Sequence, residues 1–148
     1  MVVLILFVSI KFQGSFQDLF LRAAAVRENR LSGSLNANFV PFSTIRIYYR
    51  LRNQNPVYVR NLIGNVIPFL PMGYSEAFFC FHKRNKLFGI KAMLICLFMI
   101  VFIEVVQLIT GLGYFDVDDI LLNLLGCLLG LGFFLLYQNG WGKRRINL

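Results

Sequence analysis

Three of the seven acidic residues in this 148-residue chain, Asp116, Asp118 and Asp119, fall inside one short stretch, with Asn123 just behind them. Upstream, Glu104 and Gln107 stand at i and i+3, and Asn61 and Asn65 at i and i+4. Clustered carboxylates and amides suit three kinds of chemistry. They cap free N–H groups at a helix start, as Asp does well there. They supply the hard oxygen ligands that Mg²⁺ or Ca²⁺ takes, for which Asp116, Asp118 and Asp119 are weak candidates because their spacing matches no Ca²⁺ loop. They also line a hydrogen-bonding pocket. Glu104 has two readings of its own, a general base or proton relay, or a structural hydrogen bond to Asn65 or Asn123.

Other chemistries find no set of residues. His82 is the single histidine and sits beside Lys83 and Arg84, so neither a Ser-His-Asp triad nor a zinc site assembles. Cys80, Cys96 and Cys127 lie in apolar runs without a C-x-x-C pair and read as packed thiols. Gly111-Leu112-Gly113 lacks the strand and spacing of a phosphate-binding loop. No cofactor is implied.

The elements that carry these residues are apolar. The chain is 57% hydrophobic and 15% charged, with a net charge of +8, against about 45–50% and about 25% in average soluble domains. That balance excludes a disordered chain, a nucleic-acid-binding tail and an ordinary cytosolic enzyme of this length. Ile120–Tyr137 carries no charge and, at about 1.5 Å per residue, nearly crosses a hydrocarbon core of roughly 30 Å. Phe88–Thr110 is a second span, with Lys91 placed to snorkel. Asn61–Phe81 is a third, and Gly64, Pro68, Pro71 and Gly73 predict that it bends or partly unwinds. Val2–Phe12 is about half a span. It reads as a shortened first helix or an internal start, since it has neither a preceding charge nor an A-x-A-like site.

The reading is therefore an all-α membrane protein, a bundle of about four transmembrane helices in one domain over residues 1–148. Its parts are a partial helix over 1–12, a basic outer loop over 13–60, helices over 61–81, 88–110 and 119–137, and a basic tail over 138–148. Within the loop, Phe42, Ile45, Tyr48 and Tyr49 share one helical face opposite Arg46 and Arg50, the pattern of a short helix lying among headgroups. Lys83, Arg84, Lys86 and Lys91 in one loop, and Lys143, Arg144 and Arg145 in the tail, place both termini in the cytoplasm of a multi-pass cell-membrane protein.

On that map Asn61, Asn65, Glu104, Gln107, Asp116, Asp119 and Asn123 share the outer end. Asp116, Asp119, Asn123, Gly126 and Gly130 form one stripe of a single helix, and Asn61, Asn65 and Pro68 form another. Convergence of these faces predicts a polar pocket open outward. Gly126-x-x-x-Gly130 allows another helix to approach closely, within the bundle or from a partner.

Four motifs in order then carry a resemblance. Asn38-Phe39-Val40-Pro41-Phe42; Asn61-Leu62-Ile63-Gly64-Asn65 with Phe69, Pro71 and Gly73; Glu104-x-x-Gln107; and Asp116-Val117-Asp118-Asp119 with Asn123, Gly126 and Gly130 together resemble the VanZ-like family. Family members often carry an Arg just before the Asp run, and residues 109–115 here contain none. The resemblance implies a bacterial multi-pass membrane protein related to a factor of low-level teicoplanin resistance. On this reading the pocket, with Asn38 added, binds a cell-wall or lipid-linked component. Two alternatives stay open: an intramembrane enzyme acting on a lipid-linked phosphate with a divalent metal, and an accessory subunit docking through Gly126 and Gly130.

Overall fold

A computed structural model describes residues 24–26, 28, 29, 31, 33, 37–82, 87–110 and 114–142. The half-span over Val2–Phe12 and the basic residues at 83–86 and 143–148 lie outside the described residues. In order, the elements are β1 (Ala37–Asn38), α1 (Ser43–Leu51), α2 (Pro56–Val66), a 3-10 turn (Ile67–Phe69), α3 (Leu70–His82), α4 (Phe88–Thr110), β2 (Phe115–Asp116) and α5 (Val117–Gly142).

Local sequence explains most boundaries. Asn55 caps α2, its side-chain oxygen accepting the Val57 N–H at 2.9 Å, and Pro56 follows where a helix needs no donor. Pro68 has no N–H to continue the ladder, so the helix tightens into the 3-10 turn before α3 resumes. The bend expected within Asn61–Phe81 therefore occurs at Ile67–Phe69. The helix itself begins at Pro56 rather than Asn61. The stretch read as a basic loop thus contains, besides the short helix expected there, the first turn of α2, because a capped Pro start outweighs its polar composition.

Helices α4 and α5 are long and apolar enough to cross a membrane, with mean hydropathy 2.7 and 2.3 over their apolar windows. Only 28% and 33% of those windows are buried, whereas the core helix of a soluble protein would be mostly covered. The uncovered side of α4 is a continuous apolar stripe, Ile90, Leu94, Phe98, Phe102, Val105 and Ile109, which suits lipid and not water. Its opposite face, Ala92, Cys96, Ile100, Ile103 and Glu104, is buried.

Helices α2 and α3 run alongside α5 in the same direction, and α4 packs against both α3 and α5. Three glycines set the separation. A Cβ on Gly126 would lie 2.2 Å from the Val66 carbonyl oxygen, one on Gly130 2.1 Å from that of Leu70, and one on Gly73 2.0 Å from that of Cys127. Only hydrogen fits at such distances, so the helices touch backbone to backbone. The close approach offered by Gly126 and Gly130 is thus made within the chain, and a partner subunit would have to use another face. Phe69, Met72, Cys96, Ile100, Ile103 and Cys127 fill the core, with Ile120 and Leu124 packed on them. At the far end Phe134 is ringed by Tyr74, Phe78, Phe81 and Phe88 at centroid distances of 5.6, 6.4, 5.6 and 6.2 Å.

Candidate functional site

The acidic run and the residues around Asn38 meet at one end of the bundle. β1 pairs with β2 in parallel, setting Asn38 against Asp116 across a large sequence separation. Asp116 precedes α5, and its Oδ1 accepts the Asp118 N–H at 2.9 Å, capping that helix as the plainest sequence reading has it. The same residue also reaches out of its helix. Its Oδ2 accepts the Thr44 hydroxyl at 2.6 Å, and Oδ1 accepts Asn38 Nδ2 at 3.3 Å. Asn38 Nδ2 further donates to Ser43 Oγ at 2.7 Å and Thr44 Oγ1 at 3.0 Å.

Asp118 does not cap its own helix but the start of α1. Its Oδ1 accepts the Phe42 N–H, and its Oδ2 accepts the N–H groups of Thr44 at 2.7 Å and Ile45 at 3.0 Å. A fully buried carboxylate thus lies on the positive end of α1, where charge-assisted hydrogen bonds and the helix dipole act together. Phe42, at the cap position, takes a left-handed backbone with φ 63, costly for a bulky residue. Both oxygens of Asp116 and both of Asp118 therefore already accept hydrogen bonds, which leaves this pair poorly placed to serve a metal ion. Among the described residues no group of three His, Cys, Asp or Glu is arranged to hold one.

The second cluster lies deeper. Asn65 Nδ2 donates to Asp119 Oδ1, tying α2 to α5. Asn65, Glu104 and Asn123 are 1%, 0% and 0% exposed. Glu104 sits one turn beyond Ile100 on the buried face of α4, and Asn123 one turn beyond Asp119 on α5. Of the residues expected to line the pocket, Asn65, Glu104, Asp116, Asp119 and Asn123 are packed away from solvent. Among the described residues the Asn65 amide oxygen and both polar atoms of the Asn123 amide find no hydrogen-bond partner. Asn61 stands apart at the rim, donating to the Tyr48 hydroxyl at 3.4 Å, and Gln107 is half-buried toward the end of α4. Burial raises the Tyr48 phenol above its ordinary pKa, Asn61 opposes this, and Asp119 and Asp116 add to it. Tyr48 is therefore a neutral hydroxyl at physiological pH.

Ser43, Thr44 and Tyr48 belong to this region although spacing alone did not single them out as site residues. Ser and Thr ahead of an amphipathic run do mark a helix start, but their partner lies far along the chain. Replacing Asn65 with Ala removes the donor to Asp119, and we expect a loss of about 1.5–3 kcal/mol, the usual range for a hydrogen bond to a charged group. Unfolding midpoints in detergent micelles check this.

A family model described as VanZ/LLP1 matches residues 1–138. No curated protein and no solved structure matches the chain. The chain belongs to the VanZ/LLP1 family, and it is a helical membrane protein of VanZ-like type.

Proposed function

We propose that this VanZ/LLP1 chain is a non-enzymatic cell-envelope factor of the glycopeptide (teicoplanin) resistance type. Its polar end would bind a cell-wall or lipid-linked component through Asn65, Glu104, Asp119 and Asn123. Asn38, Asn61, Gln107 and Asp116 would surround the entrance beneath α1. Both termini would face the cytoplasm, with the polar end outside. The observation that carries the reading is Asn123, fully buried with neither amide atom hydrogen-bonded. Such a group costs on the order of 1–3 kcal/mol, a cost that a ligand's polar atoms would offset. The metal-dependent enzyme draws no comparable support, since Asp116 and Asp118 are engaged with α1.

The test uses one substitution with opposite effects on fold and function. Asn123→Leu removes two unsatisfied polar atoms while keeping the branched heavy-atom skeleton, so the protein should accumulate normally and unfold at a higher temperature. In a strain lacking the gene, teicoplanin tolerance should fall severalfold and return with the wild-type chain but not with Asn123→Leu. Full tolerance from Asn123→Leu at equal membrane levels would refute the reading.

A further inference from the structure

A groove of about 580 Å³ at the start of α2 is lined by Arg52, Asn53, Pro56, Val59, Arg60 and Ile63. It shares no residue with the buried polar set. Two guanidinium groups and an amide mark one part of it, and an apolar wall the other. Val59 and Ile63 on α2 are exposed at i and i+4, and exposed Ile67 follows in the 3-10 turn, so the wall continues past the groove as an apolar stripe.

The depth of the groove follows from the helix register. Asn65 is level with Asp119 near the start of the membrane-length α5, and Arg60 lies five residues farther out, about 7.5 Å by helix rise. The headgroup layer extends roughly 5–7 Å beyond the hydrocarbon on each side. The Arg60 backbone therefore stands at the outer edge of the headgroup layer, within reach of a phosphate by its long side chain, and the stripe leads from it toward the acyl chains. Arg52 is already oriented, since its Nη1 donates to the Tyr49 carbonyl at 2.6 Å and its guanidinium lies 4.0 Å over the Tyr49 ring. That hydrogen bond uses one of five donors. Between Ala37 and Arg60 the chain has Arg46, Arg50, Arg52 and Arg60 and no acid; Asp116, Asp118 and Asp119 face this segment from the start of α5 but are buried, so the exposed charge here is positive.

We propose that this groove binds one anionic phospholipid, its phosphodiester on Arg52 and Arg60 and an acyl chain along Val59, Ile63 and Ile67. Arginine suits the task because its planar fork pairs with two phosphate oxygens.

Native mass spectrometry of the full chain, released from micelles doped with phosphatidylglycerol or phosphatidylcholine, tests this. Phosphatidylglycerol should be retained in preference. The double variant Arg52→Gln/Arg60→Gln should lose about 30-fold in that affinity, from roughly a fivefold effect for each of the two guanidinium groups. Arg46→Gln/Arg50→Gln removes the same charge outside the groove and should change it less than threefold. Both Arg52 and Arg60 are exposed, so the double variant should still fold and accumulate in the membrane. Equal losses from the two double variants would reduce the effect to overall charge and overturn the site. Equal retention of phosphatidylcholine, or displacement of the lipid by an equal concentration of glycerol phosphate, would overturn the lipid assignment.

Discussion

Replacing Asp118 with Ala should cost about 2–4 kcal/mol and release α1 from the bundle, the larger end of what one buried cap contributes. Three backbone N–H groups, those of Phe42, Thr44 and Ile45, donate to this one carboxylate. Water can replace part of that, because Phe42 is exposed and Thr44 and Ile45 are only half-buried, and this sets the upper limit. Asp118→Asn should be intermediate. It keeps one acceptor for Thr44 and Ile45 but sets an NH₂ against the Phe42 N–H and removes the charge that favours the helix start. Trypsin distinguishes these cases. In the Ala variant, cleavage at Arg46, Arg50 and Arg52 should accelerate at least tenfold while α4 and α5 stay protected. Unchanged cleavage would mean that α1 is held by something other than this carboxylate.

The glycine contacts should be the most sensitive positions in the bundle. A methyl group at Gly73, Gly126 or Gly130 would lie 2.0–2.2 Å from a carbonyl oxygen of the facing helix, and a backbone atom cannot rotate away. Each Gly→Ala change should therefore force α2 and α3 off α5, at about 1–3 kcal/mol by the usual cost of overpacking. Gly126→Leu with Gly130→Leu should abolish accumulation. Gly132 supplies the internal control, because nothing lies within 4 Å of a Cβ there. Gly132→Ala should be neutral or stabilising by up to about 1 kcal/mol, the helix-propensity gain alone. Unfolding midpoints of the four Ala variants in one detergent give the comparison, and equal effects at Gly126 and Gly132 would contradict the packing described.

Much of this was legible in the chain. The apolar run at Phe88–Thr110 gave α4 with the same limits, because nothing interrupts it and its ends are polar. Gly and Pro spacing located the bend at Ile67–Phe69 and the Gly126–Gly130 contact, since both features are backbone restrictions of single residues. The aromatic face around Tyr48 gave α1 to within two residues. Helix periodicity likewise put Asp119 and Asn123 on one face of α5, and both are buried in the structure.

Other features depend on pairings between distant segments, which periodicity does not encode. Asp118 has the sequence context of a cap for α5, yet it caps α1, because the β1–β2 pairing brings Phe42–Ile45 across its carboxylate. The acidic run, read as a helix cap, a pocket wall or a weak metal candidate, thereby serves in part as a clamp on α1. Residue type and spacing determined that this chain is a helical membrane protein with its polar groups gathered at one end. Tertiary structure decided which of those groups satisfy each other and which, like Asn123, remain buried without a partner. Local sequence fixes backbone preference and face, but hydrogen-bond satisfaction depends on which segments the fold brings within about 3 Å.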